Sequence, residues 1–294
     1  MTPLLKNIRI LDLTNVLSGP FCGYQMALLG ADVIKVESPD GGDLARQLGA
    51  DAGLNKEYLG ASFLAQNGSK RSIVLNLKDA QDVEIFKKLV ATADVVLENF
   101  RPGVMDRLGL GYEALKRIKP DLVYCAISGF GQEGPLAGAP AYDQIIQGLS
   151  GLMSITGNAE TAPLRVGYPL CDTLGGMTAA FSICAALVRR GQSGEGAFLD
   201  VSMLDSTLVS MGWIVSNLMI AGQPPVPMGN ENFTAAPSGT FSTGKGPINI
   251  AANKQQQFEK LCDLIGASGL KSDERFAERE ARKRNRVALK HEIE

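Results

Sequence analysis

The chain has 294 residues, 45% of them hydrophobic and 20% charged, enough apolar material to bury a full core in one large domain plus a smaller one. Its 29 basic residues against 31 acidic ones leave a formal net charge of −2, which excludes a broad electrostatic footprint for nucleic acid or an anionic membrane and confines any anion site to local groups. Five cysteines (Cys22, Cys125, Cys171, Cys184 and Cys262) show no C-x-x-C spacing, which excludes a zinc framework and predicts reduced intracellular thiols, in a cytoplasmic protein or an organelle protein missing its targeting segment.

The N-terminal "MTPLLKNIRILDLT" runs into a strand pattern without a signal-peptide layout, and the longest apolar stretches read as too short or too Gly/Ser-broken to span a bilayer. Strands and helices then alternate. "IRILDLT" (8–14) is a strand, "PFCGYQMALLGA" a helix that Pro20 can start and Gly30 stops, and "DVIKVE" (32–37) the next strand. After a polar loop come the strand 71–77, the helix 79–93, the strand 94–100, the helix 111–119 and the strand 121–128. This alternation predicts an α/β fold with a parallel sheet and crossover helices. Residues 143–155, 171–190 and 205–221 read as buried helices, with a strand at 196–204. A Pro/Gly/Asn-rich segment, 222–239, reads as a linker between a large domain, 1–221, and the start of a small one, 240–294. Within the latter, "GTFST" and "PINIAAN" suggest a hairpin, followed by helices at 254–265 and 273–294.

Several chemistries lack their parts. Gly19 in the first βα turn and Glu37 at the end of the second strand invite a dinucleotide site, yet "LSGPFCG" is not G-x-G-x-x-G, and Glu37 reads more simply as a solvated strand end. The single histidine, His291, lies in a charged helix near the end of the chain, which argues against Ser/His/Asp, Cys/His and histidine-metal centres. No P-loop matches, and Lys245 in "STGKGPIN" falls in a turn. Carboxylates, backbone amides and a few basic side chains remain.

Among them Asp172 stands at the head of the apolar run "PLCDTLGGMTAAFSICAAL". As a helix N-cap it needs no further role. The same position suits a nucleophile, since a helix start favours the anion, and Gly175 and Gly176 would leave room for a substrate to approach.

The blocks "LDLTNVLSGPFCGYQMALLGADVIKVESPDGGD", "NGSKRSIVLNLKD", "ADVVLENFRPGVMDRLGLGYEAL", "YCAISGFGQEGPL", "YDQIIQGLSGLMSITG" and "PLCDTLGGMTAAFSICAAL" occur in that order over nearly the whole chain. In this they resemble the class III CoA-transferase family, also called the CaiB/BaiF family, and most closely its members acting on small carboxylic and dicarboxylic acids. The resemblance implies a Rossmann-like large domain and two chains interlocked as a homodimer. It also implies that CoA enters as an acyl-CoA substrate rather than as a tightly bound cofactor, with a small carboxylic acid as the other partner; composition and spacing give no expectation of a metal, nucleic acid or membrane partner.

The resemblance further implies site residues. Asp172 matches the residue that attacks the acyl-CoA thioester to give a mixed anhydride, from which CoA thiolate makes an aspartyl-CoA thioester. Tyr142 matches an active-site tyrosine, and the amides of Gly175, Gly176 or a neighbouring loop would stabilise the oxyanion. Val16, Leu17 and Ser18 match positions lining the CoA cleft, while Lys70, Arg71, Asn99, Phe100 and Arg107 match positions around the nucleotide and its phosphates. Two departures stand out. Ser38 occupies a place where some members carry an arginine, and family members continue beyond the point matching Glu294, so the chain reads as C-terminally truncated. An acyl-CoA racemase of the same family is the alternative activity, although "AYD" puts Tyr142 where racemases have the histidine of "GHD". A catalytically idle CoA-binding protein is the other.

Overall fold

The computed structural model describes residues 3–294. Six strands form one parallel sheet: β1 (Arg9–Asp12), β2 (Asp32–Glu37), β3 (Arg71–Val74), β4 (Val95–Glu98), β5 (Val123–Ser128) and β6 (Ala197–Ser202), in the spatial order β3-β2-β1-β4-β5-β6. The order reverses direction between β1 and β4, the doubly wound arrangement, in which ligands bind beyond the carboxyl ends of the strands at the switch point. β4 and β5 are buried along their whole length and read as near-continuous apolar runs, as strands covered on both faces must.

One face of the sheet carries the cluster of Leu11, Leu13, Val36, Phe86, Val90, Val96, Met105, Leu115 and Tyr124. On the other, helix α1 (Ser18–Leu28) and the long helix α2 (Leu170–Ser193) pack against each other, and α2 also packs on β5 and β6. The helix α3 (Met203–Ser210) lies against α2, as does the earlier segment Asp143–Leu149, called here the YD helix. Contrary to the reading of its sequence as too broken, α2 is long and apolar enough to cross a bilayer, but it buries Cys171, Gly175, Ala179 and Ile183 in this fold.

Several expected helices are interrupted. The helix expected at 143–155 stops at Leu149, and Gly151 takes φ 81° before Leu152–Ile155. The one expected at 205–221 bends by 76° between α3 and the next helix, α4 (Gly212–Ala221). The one expected at 273–294 forms only over Arg279–Arg284 and Arg286–Ile293. Conversely, the polar loop after β2 contains a 3-10 turn at Leu44–Gln47 and short helices at Ala52–Lys56 and Ala61–Asn67.

By contacts the chain divides into two units: residues through Leu152 with Arg165–Gln223, and Met153–Leu164 with Pro224–Glu294. The second unit contains the antiparallel hairpin of β7 (Ser238–Thr243) and β8 (Gly246–Ala251). The segment expected as a linker belongs mostly to this unit, where Ala236 sits in a core with Phe258, Cys262, Phe276 and Leu289. Arg282 is buried there against the Phe258 ring, donating to the carbonyls of Ala236, Phe276 and Ala277.

Candidate active site

Two adjoining cavities open at the carboxyl ends of the sheet strands. The first, about 220 Å³, is walled by the turn Asn15–Ser18, by Asn99–Pro102 after β4, by Ile127–Gly129, by Ala137 and Ala139–Tyr142, and by Asp172 and Met203. The second, about 250 Å³, shares Asn15 and Phe100 with it and lies over the ends of β1, β2 and β3, with Ser38, Asp40, Asn76 and Lys78 among its walls.

Buried charges build the floor beneath the first turn. Lys35 and Asp43, both about 1% exposed, pair at 2.9 Å. Lys35 donates to the Thr14 carbonyl, and Asp43 accepts from the Val16 amide. These bonds hold Val16 at φ 69°, a left-handed conformation that a β-branched residue adopts only when its surroundings compel it. Ser18 begins α1, so its amide belongs to the first turn, whose N–H groups have no carbonyl four residues back. Ser18 lines the cavity, while its hydroxyl oxygen is buried and has no hydrogen-bond partner among the described residues.

Asp172 is the third residue of α2, not its cap. The cap comes from elsewhere: Asp143 accepts from the amides of Cys171 at 2.7 Å and Asp172 at 3.3 Å. Burial, and then the nearby Asp143 carboxylate, push the Asp172 carboxyl up to about 7, so this helix start does not hold it ionised as its sequence position suggested. Tyr142 precedes the YD helix and is 71% exposed on the cavity wall.

The structure therefore brings Asp172, Tyr142, Val16, Leu17, Ser18, Asn99 and Phe100 to one cavity wall. Arg107 is exposed, makes no ion pair among the described residues, and stands between Val104 and Leu108 of the second cavity. Four expectations are corrected. Gly175 and Gly176 lie inside α2, where a Cβ would come 2.9 Å from Met203 Cγ and 2.4 Å from the Ser18 carbonyl, so they permit helix packing rather than substrate approach. Being within the helix, their amides belong to its hydrogen-bond ladder. Lys70 is buried, and its ammonium is consumed by Asp12, the Pro20 carbonyl and Asn67. Arg71 starts β3 at the opposite end of the sheet, forked onto Asp32. Neither basic residue faces the cavities.

Glu37 is no solvated strand end either. Burial pulls its carboxyl upward, but the Arg46 fork at 2.8 Å, Ser72 and the Asp43 amide outweigh that pull and hold it down at about 2. Sequence reasoning missed Asn15, Arg101, Lys78 and the capping Asp143. Only the last had a signal, an acidic residue at a helix start followed by Gln147 one turn later. Arg101 is the one cationic side chain on the first cavity's wall and makes no ion pair among the described residues.

The sequence model of CoA-transferase family III matches residues 5–294. A succinate–glutarate CoA-transferase of Agrobacterium fabrum is 38% identical over 294 residues, covering 99% of this chain and 74% of that protein. An acetyl-CoA:oxalate CoA-transferase of Acetobacter aceti is 45% identical over 286 residues, covering 97% of this chain and 72% of that protein. Among solved structures, a CaiB/BaiF family protein from Brucella suis superposes with a TM-score of 0.84 at 38% identity, over 99% of this chain and 77% of that one.

Proposed function

The chain belongs to CoA-transferase family III and is an enzyme of that class; from this premise we propose that Asp172 carries CoA from an acyl-CoA donor to a small dicarboxylic acid. One observation carries the reading: the Asp172 carboxyl stands on the wall of the switch-point cavity, partly buried, with no cation paired to it among the described residues. A carboxylate so poorly solvated gains by attack, because attack spreads its charge onto the incoming acyl group.

The steps balance without water or ATP. An Asp172 oxygen adds to the thioester carbonyl, the C–S bond breaks, and CoA leaves as thiolate with the electron pair. The thiolate then attacks the aspartyl carbonyl of the anhydride and expels the donor acid as its carboxylate. An acceptor carboxylate attacks the aspartyl thioester in turn, and the released thiolate takes the acceptor's acyl group, restoring the Asp172 carboxylate. Each addition places negative charge on a carbonyl oxygen. The first-turn amide of Ser18, on the cavity wall at the start of α1, is the donor proposed to receive it.

The adjoining second cavity suits the nucleotide end of CoA, with apolar walls from Leu13, Val36, Leu75 and Leu77, with Lys78 on its wall and Arg107 between two of its lining residues, neither ion-paired among the described residues. Arg101 would meet the remote carboxylate of a dicarboxylic acceptor. A racemase would need a base beside the acyl α-carbon, and the titratable groups on the first cavity's wall are Asp172, Tyr142 and Arg101, none of them a histidine.

A second copy of the chain is the proposed cover for the apolar faces left open on α2 (Met177, Phe181, Val188) and α4 (Trp213, Met219, Ile220). Sedimentation should give a dimer. A monomer would remove that assignment.

The activity is tested by incubating the protein with succinyl-CoA or acetyl-CoA and a panel of carboxylic acids, then identifying new thioesters by mass. Transfer to dicarboxylates is expected. Transfer confined to monocarboxylates, or hydrolysis alone, would overturn the substrate class.

A further inference from the structure

Asp143 and Gln147 form a buried strut under the start of α2. Asp143 Oδ1 accepts from the Cys171 and Asp172 amides, while its Oδ2 accepts from Gln147 Nε2 at 2.6 Å. Gln147 is fully buried, and its Oε1 accepts from the Val166 amide at 2.8 Å. Its Nε2 also reaches the Tyr168 carbonyl at 3.3 Å. One aspartate and one glutamine thus tie down the segment leading into the helix and its first turn.

We propose that Asp143, steadied by Gln147, is a positioning residue for Asp172: it sets the backbone from which the nucleophile projects and keeps a negative charge beside it. The proposal rests on the reading of Asp172 as the nucleophile. Two features of the geometry support it. The helix has no cap of its own, because its N-cap residue is Pro169, which offers no side-chain acceptor, so the first-turn amides depend on a partner from another helix. That partner is a carboxylate although a neutral acceptor would cap almost as well, and Gln147 consumes its second oxygen rather than a cation. Among the described residues, no cation pairs with Asp143, whose charge stands next to Asp172.

The other charged and titratable groups around Asp172 are Cys171 beside it, Tyr142 at the start of the YD helix, Tyr168 in the preceding segment and Arg101 on the cavity wall. From α1 and α3, Ser18 and Met203 reach the cavity, and both are uncharged. Removing the Asp143 charge should accordingly ease ionisation of Asp172.

The test uses Asp143→Asn alone and combined with Gln147→Glu. In the double variant the carboxylate introduced at position 147 can accept from both the Val166 amide and the side-chain amide introduced at position 143, which rebuilds the strut and moves the charge away from Asp172. Two readouts are needed: the pH profile of transfer from succinyl-CoA, and the peptide that hydroxylamine labels after incubation with that donor. The wild-type rate should rise with pH through an inflection near 7. In the double variant the inflection should move to lower pH by about one unit, with kcat at its plateau reduced roughly tenfold and KM little changed. Asp143→Ala should lose about a hundredfold in kcat. An inflection that stays at the wild-type pH while the label remains on the Asp172 peptide would overturn the proposal alone. A label on another peptide would remove the nucleophile reading and the proposal with it.

Discussion

Asn15 and Asn99 exchange two hydrogen bonds: the Asn15 amide donates to Asn99 Oδ1 at 2.8 Å, and Asn99 Nδ2 donates to the Asn15 carbonyl at 2.9 Å. The pair ties the loop after β1 to the loop after β4, the two strands between which the sheet reverses direction. Asn99→Ala should therefore lower stability by about 1–2 kcal/mol and raise KM for the acyl-CoA roughly tenfold. Denaturant titration and initial rates check both. A rise in KM without loss of stability would make Asn99 a ligand contact and not a brace.

Asp172→Asn should abolish transfer, by at least about a thousandfold, because an amide cannot form the anhydride. It should also make the fold more stable at neutral and alkaline pH. The Asp172 carboxyl is raised from an ordinary value of 3.8 to about 7, so the native state holds its proton more tightly than the unfolded chain. The stability it contributes is present below about pH 4 and lost as pH rises through about 7, where burying the anion becomes costly. The asparagine avoids that cost, and a gain on the order of 1–2 kcal/mol at about pH 8 is expected from chemical unfolding. The variant should bind CoA with unchanged heat in calorimetry.

Glu37 has the opposite sign. Burial would raise its carboxyl above 4.5, but the Arg46 fork, then Ser72 and the Asp43 amide, bring it down to about 2. Its stabilisation is present above pH 4.5 and disappears as pH falls through about 2. Glu37→Gln should cost roughly 2–3 kcal/mol at neutral pH and almost nothing at about pH 2, which flattens the acid limb of the stability profile.

Two glycines of one helix should respond in opposite directions. At Gly176 a Cβ would meet the Ser18 carbonyl at 2.4 Å, and Gly176→Ala should destabilise by about 1–3 kcal/mol with a loss of activity. At Gly191 a Cβ would meet no described residue within 4 Å beyond its own helix backbone and chain neighbours, and Gly191→Ala should stabilise by roughly 0.5–1 kcal/mol. Thermal unfolding of both, side by side, checks the assignment.

Arg101→Gln should raise KM for a dicarboxylic acceptor about tenfold or more, and leave KM for a monocarboxylic one within about twofold. Equal effects on both acids would assign Arg101 to the CoA phosphates instead.

The alternation of strands and helices was legible in the sequence because periodicity and turn residues act locally. "DVIKVE" became β2 without a residue's shift, and the block resemblance pointed to Asp172, Tyr142 and the first βα turn. What failed were partnerships. The sequence of Lys70 and Arg71 says that they are basic, but Asp12 lies 58 residues from the one and Asp32 lies 39 from the other. Capping failed for the same reason, since the carboxylate that closes α2 comes from 28 residues upstream of Cys171. The buried Lys35–Asp43 pair below the first turn could not be read locally either.

The Ser18 carbonyl and the backbone of Gly176 approach so closely that no side chain intervenes, which ties the helix of Asp172 directly to the helix start bearing the Ser18 hydroxyl. The facing wall is of another make: Glu133, Gly134, Pro135, Leu136, Gly138 and Pro140 all lie at the surface, and few packed side chains dictate their course. Tolerances therefore differ across one narrow gap. On the proposed reading, Asp172 is aligned with the start of α1 by main chain against main chain, while the shape offered to the incoming acid would be drawn by an exposed loop. Exchanging residues 132–141 should retune the choice of acid while the alignment of Asp172 stays as it is.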